Sequence, residues 1–342
     1  ITHVDNLPSI LERGILSHSR VEEEDGDFKP IYDSEIVTRR SEKILPNKKS
    51  LWQYANLYFQ PRNPMLYRVI YEQSSPDDII ILGIHPAILK NPEIFLSDGN
   101  AANDITQIVP IREKQVDQII AEIRKKVVVM EWWNEESGHK RKIMAECLVP
   151  DQIGSKYITT IYVPNENVMS KVREFLPDFQ TNPSIIPEPK LFFQPDYIRK
   201  LNSRISLIKG DLFFSKMQTL TVSVNCVGVM GAGLASRAKY QFPDVYVEYQ
   251  RHCRSKSLSM GRPVLYKRET SIVNQLADEP QKLRNENSEK WFLLFPTKKH
   301  WKEDSDIKGI ERGLEWLVKN QSKNKIKSLA IPALGCGLGR LD

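Results

Sequence analysis

The chain has 342 residues, 40% of them hydrophobic and 27% charged, which is the composition of soluble globular protein at a length suited to two domains. A formal net charge of +6 permits contact with a phosphate backbone without demanding it. No apolar run approaches the ~18 residues that span a bilayer, and Cys147, Cys226, Cys253 and Cys336 fall in no CxxC spacing, so a membrane protein, a zinc ribbon and a redox dithiol are excluded. Scattered thiols of this kind fit a reduced, cytoplasmic setting, with no metal expected. The sequence opens on Ile1 rather than Met and stops in the loop-like Gly337–Asp342, so a missing start and an incomplete second domain are expected.

Taken in chain order, Leu7–Leu11 before Gly14 predicts a short helix with a glycine stop. Met65–Tyr71, rich in aromatic and branched residues, predicts a strand, and Ile79–Ile84 after the Asp77-Asp78 turn predicts the next. Gln115–Val129 has helical spacing, Ile143–Val149 reads as a strand carrying one acid, Ile158–Val163 as a strand and Asn167–Leu176 as a helix. Pro177, Pro183, Pro187, Pro189 and Pro195 then mark a stretch expected to form no core. This gives a first domain over 1–197, a junction at 198–203 and a second domain over 204–342. In the second, strands are expected at Ile205–Ile208, Leu220–Val224, Trp291–Phe295 and Ile326–Ile331, with helices at Gly233–Phe242 and Ile307–Asn320, an alternation that means a layered α/β sheet.

Two glycine loops carry the chemistry of the second domain. Asn225–Ala235, containing Gly231, Ala232, Gly233 and Leu234, joins a strand to a helix, and Pro332–Gly339, containing Gly335, Cys336, Gly337, Leu338 and Gly339, follows the last strand. Backbone N–H groups in such loops close around phosphate oxygens, and a helix N-terminus adds positive charge. Neither loop has the Lys-Ser/Thr of a Walker motif. Together with Lys209-Gly210-Asp211-Leu212, these segments resemble a macrodomain over 204–342. The resemblance implies a three-layer α/β/α fold binding ADP-ribose, with Asp211 on the adenine, Asn225 on the distal ribose and the loops on the pyrophosphate. Phe295–Trp301 is similar to the DarG branch, which removes ADP-ribose from DNA. There the resemblance implies that Lys298 attacks the anomeric carbon, as a desolvated lysine can.

Read from its residues alone, the first domain offers an isolated acid on an apolar strand, Glu146, the pair Arg39-Arg40 and an early histidine, His3. A carboxylate and a cation suffice to split a nicotinamide glycosidic bond, the first steadying the oxocarbenium-like centre and the second the phosphates. Ile1–Gly14, Pro61–Tyr67 and Ala145–Pro150, in that order, resemble DarT, a family that transfers ADP-ribose from NAD to bases of single-stranded DNA. The resemblance covers 1–197 and implies an ADP-ribosyltransferase fold with a split mixed sheet. It makes Glu146 the catalytic acid and Arg40 the essential arginine, with Arg39 as the ambiguous neighbour. It also puts Thr2, His3 and Asn6 at the NAD, and Met65 and Tyr67 in the nicotinamide pocket. Trp132–Lys142 combines two tryptophans with four basic residues, which suits either a groove for unpaired bases or the end of a core element.

The combined expectation is a toxin–antitoxin fusion of bacterial or phage-related origin. One domain would modify single-stranded DNA, thymine before guanine, and the other would bind the ADP-ribosylated DNA and remove the mark, with a contact between the two possible. The alternative is a transferase for RNA or protein whose macrodomain only reads ADP-ribose.

Overall fold

A computed structural model describes the chain except residues 25–26, 33, 74, 114, 135–137, 177–181, 270, 279–289 and 342. Strands form in chain order at β1 (Thr2–His3), β2 (Ile15–Leu16), β3 (Tyr54–Tyr58), β4 (Ile79–Ile84), β5 (Phe95–Ser97), β6 (Ile108–Pro110), β7 (Glu146–Pro150) and β8 (Gln152–Ile153). They continue at β9 (Ile158–Val163), β10 (Ser184–Pro187), β11 (Tyr197–Lys200), β12 (Ser206–Lys209), β13 (Thr219–Asn225), β14 (Val264–Tyr266), β15 (Trp291–Lys298) and β16 (Leu329–Ala330). Two units result, Ile1–Lys209 with Leu276–Leu283, and Gly210–Gln275 with Arg284–Asp342. Among the described residues no helix is long and apolar enough to cross a membrane.

Among the described residues the first unit has two four-stranded sheets, β1-β4-β9-β10 and β3-β7-β5-β6, and two two-stranded ones, β2-β8 and β11-β12. The first is mixed, since β10 runs parallel to β9 while the other pairs are antiparallel. Its apolar residues Ile80, Ile161 and Val163 pack with Leu7 and Leu11 of the helix Leu7–Arg13 and with Val168 and Val172 of the helix Glu166–Phe175. The second sheet is antiparallel and buried on both faces. Period-two alternation sends Cys147 and Val149 of β7 toward Ile119 and Ile123, and Leu148 toward Leu45, Leu51 and Tyr54.

Three expectations are corrected here. Met65–Tyr71 is not a strand but a helix, Pro64–Arg68, running into a wider turn at Val69–Gln73. The Asn63 side chain accepts from the Leu66 N–H at 3.0 Å and Pro64 occupies the first helical position, a local cap that outweighs strand propensity. The proline-rich stretch does enter the core: β10 adds to β9, and Phe192 and Phe193 are buried after it, while Pro177 lies outside the described residues. Finally, Ile205–Ile208 does not start the second unit. It forms β12, which folds back on β11 around a turn where Asn202 Oδ1 accepts from the N–H groups of Arg204 and Ile205, so the unit boundary falls at Lys209/Gly210 rather than at 198–203.

The second unit is one sheet, β14-β15-β13-β16, with β13 parallel to β15 and β16. Leu293 and Phe295 pack on the helix Ile307–Asn320, and a Cβ on Gly313 of that helix would lie 2.6 Å from Phe295 Cζ. Phe292, on the other face, meets Phe242 at 5.2 Å, beside the helices Gly233–Gln241 and Pro243–Arg254. The latter helix was not among the expected elements; Pro243 begins it at the first helical position instead of ending the one before. The expected Ile326–Ile331 strand shrinks to β16.

Candidate active sites

In the first unit Glu146 opens β7 and is fully buried. Arg40 Nη2 donates to its Oε2 at 2.7 Å and Nη1 to Oε1 at 3.4 Å. The Ala101 N–H also donates to Oε1, at 2.8 Å, and the Glu146 N–H donates to Ser97 Oγ at 2.9 Å. Arg39 and Arg40 end the helix Ser34–Glu42, where neighbours point about 100° apart. Arg40 therefore reaches inward while Arg39 stays exposed.

A cavity of about 600 Å³ opens beside this pair, with Thr2, Asn6, Arg39, Arg40 and Met65 of the expected residues in its wall. Glu146 does not itself line it; its partner Arg40 does. Asn6 clamps the rim, accepting from the Lys29 N–H at 2.8 Å and donating to the Lys29 carbonyl at 2.9 Å. His3 and Tyr67 stand outside the wall. His3 Nδ1 accepts from the Asp5 N–H and caps the turn Val4–Asn6, and Tyr67 is buried among Tyr71, Trp133 and Phe193.

The wall residues not foreseen include His18, Tyr58 and Arg68. His18 stacks on Trp52 at 4.4 Å, and burial, helped by the charge of Arg40, brings its pKa down to about 4, so the ring is neutral near pH 7. Tyr58 is the cross-strand neighbour of Glu146, and burial and then that carboxylate hold its phenol protonated. Arg68 is the third. None of the three carries a sequence signal beyond its own residue type.

The Trp132–Lys142 segment divides. Trp133 is fully buried and its Nε1 donates to the Leu276 carbonyl, so it is core rather than a stacking face. Arg141 pairs with Asp98 at 2.6 and 3.0 Å, and its carbonyl accepts from the Asn100 N–H, which fixes the loop that presents the Ala101 N–H to Glu146. Residues 135–137 lie outside the described set.

In the second unit a register shift between Val224 and Asn225 puts Asn225 level with Lys298 on β15. Asn225 folds its own loop: Nδ2 donates to the Val229 carbonyl at 2.6 Å, and Oδ1 accepts from the Val227 N–H at 3.0 Å and from the Tyr249 hydroxyl at 2.8 Å. Lys298 Nζ donates to the Leu338 carbonyl at 3.1 Å in the second glycine loop. The loops approach each other there, since a Cβ on Gly233 would lie 3.8 Å from Leu338 Cδ1. Asp211 caps the turn Leu212–Phe214 and accepts from Arg237 Nη1 at 2.8 Å. The expected residues Gly231, Ala232 and Leu234 surround the start of the helix Gly233–Gln241, and Gly335, Cys336, Gly337 and Gly339 build the second loop.

Residues 1–193 match the family described as ssDNA thymidine ADP-ribosyltransferase, DarT, and residues 284–342 match the macro domain. The chain belongs to the DarT family and carries a macro domain behind it. A DNA ADP-ribosyl transferase-DNA ADP-ribosyl glycohydrolase fusion protein of Thermosipho africanus is 53% identical over 343 residues, covering 100% of this chain and 87% of the relative. The solved Thermosipho africanus DarTG in complex with ADP-ribose is 51% identical with a TM-score of 0.92, over 99% of this chain and 87% of that one. A DNA ADP-ribosyl glycohydrolase of Thermus aquaticus is 35% identical over 137 residues, 40% of this chain and 34% of its own. The DarT unit thus holds the buried acid–arginine pair, and the macro unit the two facing loops.

Proposed function

We propose that the DarT unit takes NAD as its substrate and moves the ADP-ribose onto thymine of single-stranded DNA, and that the macro unit binds that ADP-ribose and hydrolyses it off. The buried Glu146–Arg40 pair, whose arginine lines the cavity, carries this reading. Arg40 faces the cavity and draws the phosphates of NAD toward Glu146, whose carboxylate is freed to face the anomeric carbon. The bond to nicotinamide breaks, the bond to the base forms, and Glu146 takes the proton that the base gives up. Ala101 N–H and Ser97 hold the acid in place throughout.

In the macro unit the loops take the pyrophosphate. Lys298, tethered to Leu338, attacks the anomeric carbon through its side-chain nitrogen; the bond to thymine breaks and the base leaves with the proton that the nitrogen gives up, and water then releases ADP-ribose and regenerates the lysine. The bacterial relatives and these substrates suit a cytoplasmic protein. Mass spectrometry of a single-stranded oligonucleotide after exposure to NAD and the Lys298→Ala chain is the test. An ADP-ribose adduct on thymidine, absent when Glu146→Ala is added, is the expected result. Adducts only on RNA or protein overturn the acceptor, and unimpaired removal by Lys298→Ala overturns the role of the lysine.

A further inference from the structure

Asp278 belongs to the DarT unit although it lies far along the chain, next to Leu276 and Ala277. Leu276 and Ala277 are buried, and the Leu276 carbonyl accepts from Trp133 Nε1 at 2.9 Å inside the Tyr67–Trp133–Phe193 ring cluster. This anchor delivers Asp278 to the wall of the same cavity as Arg40, Tyr58 and Met65. There Asp278 Oδ1 accepts from Arg68 Nε at 2.6 Å, with side-chain exposures of only 9% and 1%. Met65 and Arg68 are three apart on one helix and share a face, so both line the cavity. Tyr58, in the same wall, feels the charges of both ion pairs, Glu146 with Arg40 and Asp278 with Arg68.

A buried ion pair is seldom worth more to stability than apolar packing of the same shape, so its placement in a ligand cavity asks for another reason. A guanidinium fork takes a carboxylate and a phosphate in the same way. We infer that Arg68 is a phosphate subsite of the transferase cavity, and that Asp278 is the chain's own occupant of it, a tethered carboxylate that a substrate phosphate displaces. The inference rests on the cavity being the transferase site. A tethered group competes at an effective concentration on the order of millimolar, so it raises the substrate requirement without shutting the enzyme off. NAD and the DNA backbone both supply the phosphate chemistry, and kinetics separates them.

The experiment uses the full chain carrying Asp278→Asn, with NAD hydrolysis measured without DNA and oligonucleotide modification measured at saturating NAD. One KM is expected to fall about tenfold while kcat holds: that for NAD if Arg68 takes the pyrophosphate, that for the oligonucleotide if it takes the strand. Asp278→Glu, which keeps the charge, should restore the wild-type KM. Unchanged or raised values for both substrates in a folded Asp278→Asn chain overturn the proposal. Calorimetry with inorganic pyrophosphate reads the subsite without turnover, so it separates failure of this inference from failure of the transferase reading. Asp278→Asn should bind pyrophosphate about tenfold more tightly, and adding Arg68→Gln should abolish the gain; equal binding in all three chains overturns it. Should the variants fold poorly, hydrogen exchange on the wild-type chain decides: amides of Ala277 and Asp278 exchange faster with pyrophosphate present if it displaces them, and unchanged protection at millimolar pyrophosphate sinks the idea.

Discussion

The DarT unit and the macro unit handle the same nucleotide with different parts of the polypeptide. In the first, the proposed catalytic acid Glu146 is buried and held by groups distant in sequence, Arg40, Ser97 and the Ala101 N–H among them. In the second, the proposed site is mostly main chain, two loops joined through Asn225, Lys298 and Leu338, whose contacts shape the backbone. A side-chain site is lost by removing one group. A backbone site is lost by adding one. The difference can be tested from both ends.

The largest effect is expected at Glu146. Glu146→Gln should lower DNA modification about a thousandfold, the range for removing a positioned acid or base. It also takes the carboxylate away from the buried Arg40, which costs on the order of 3 kcal/mol. Oligonucleotide mass shift and thermal melting measure the two. ADP-ribose binding by the macro unit, followed by calorimetry, should be unchanged; a parallel loss there would break the separation of the two sites.

The converse is Gly335→Ala. Gly335 has φ +82°, and a Cβ there would lie 2.5 Å from Leu341 Cδ1 and 3.0 Å from Ile310 Cδ1. The left-handed backbone alone costs about 1–2 kcal/mol for a residue with a Cβ. ADP-ribose affinity should fall about tenfold while NAD-dependent DNA modification persists. Retained affinity would mean that the second loop does not hold the ligand.

The same contrast decides what the sequence made legible. Glycine loops between a strand and a helix are local patterns, so both were visible as Asn225–Ala235 and Pro332–Gly339. The Arg40–Glu146 pair is separated by 106 positions: the apolar strand singled out the acid, but only the likeness to a known family joined it to an arginine. The likeness named Arg40 with Arg39 as its ambiguous neighbour, and of the two Arg40 is the buried one. His3 and Trp133 show the limit of residue type alone: each suits a ligand, yet His3 also caps a turn, and Trp133 takes the core reading of the two that the sequence left open. Asp278 had no signal, because nothing local says that the chain returns to the first unit there.

A smaller effect separates the units by pH. His18 has its pKa depressed from 6.5 to about 4 by burial and by Arg40. The unfolded chain therefore binds this proton more readily than the folded one. Stability is full above about pH 6.5 and falls as pH drops toward 4, by up to about 3 kcal/mol. His18→Gln should flatten this acid-side decline in the melting of the DarT unit. An unchanged slope between pH 7 and 5 would show that other groups carry it.

The mildest test bears on whether Asn225 acts through the loop it folds. Tyr249 donates its hydroxyl to Asn225 Oδ1 at 2.8 Å and lies 3.0 Å from the Asn225 carbonyl oxygen, with its own ring fully buried. Tyr249→Phe keeps the ring packing and removes these contacts, at a cost of about 1 kcal/mol. The Val227 and Val229 N–H groups still hold the amide oxygen, so the loop loosens without collapsing. ADP-ribose affinity should drop several-fold, with hydrogen exchange rising at Val227–Val229. Unchanged exchange with weakened binding would instead make the Tyr249 hydroxyl a direct ligand contact, and the macro site would then depend on side chains as the DarT site does.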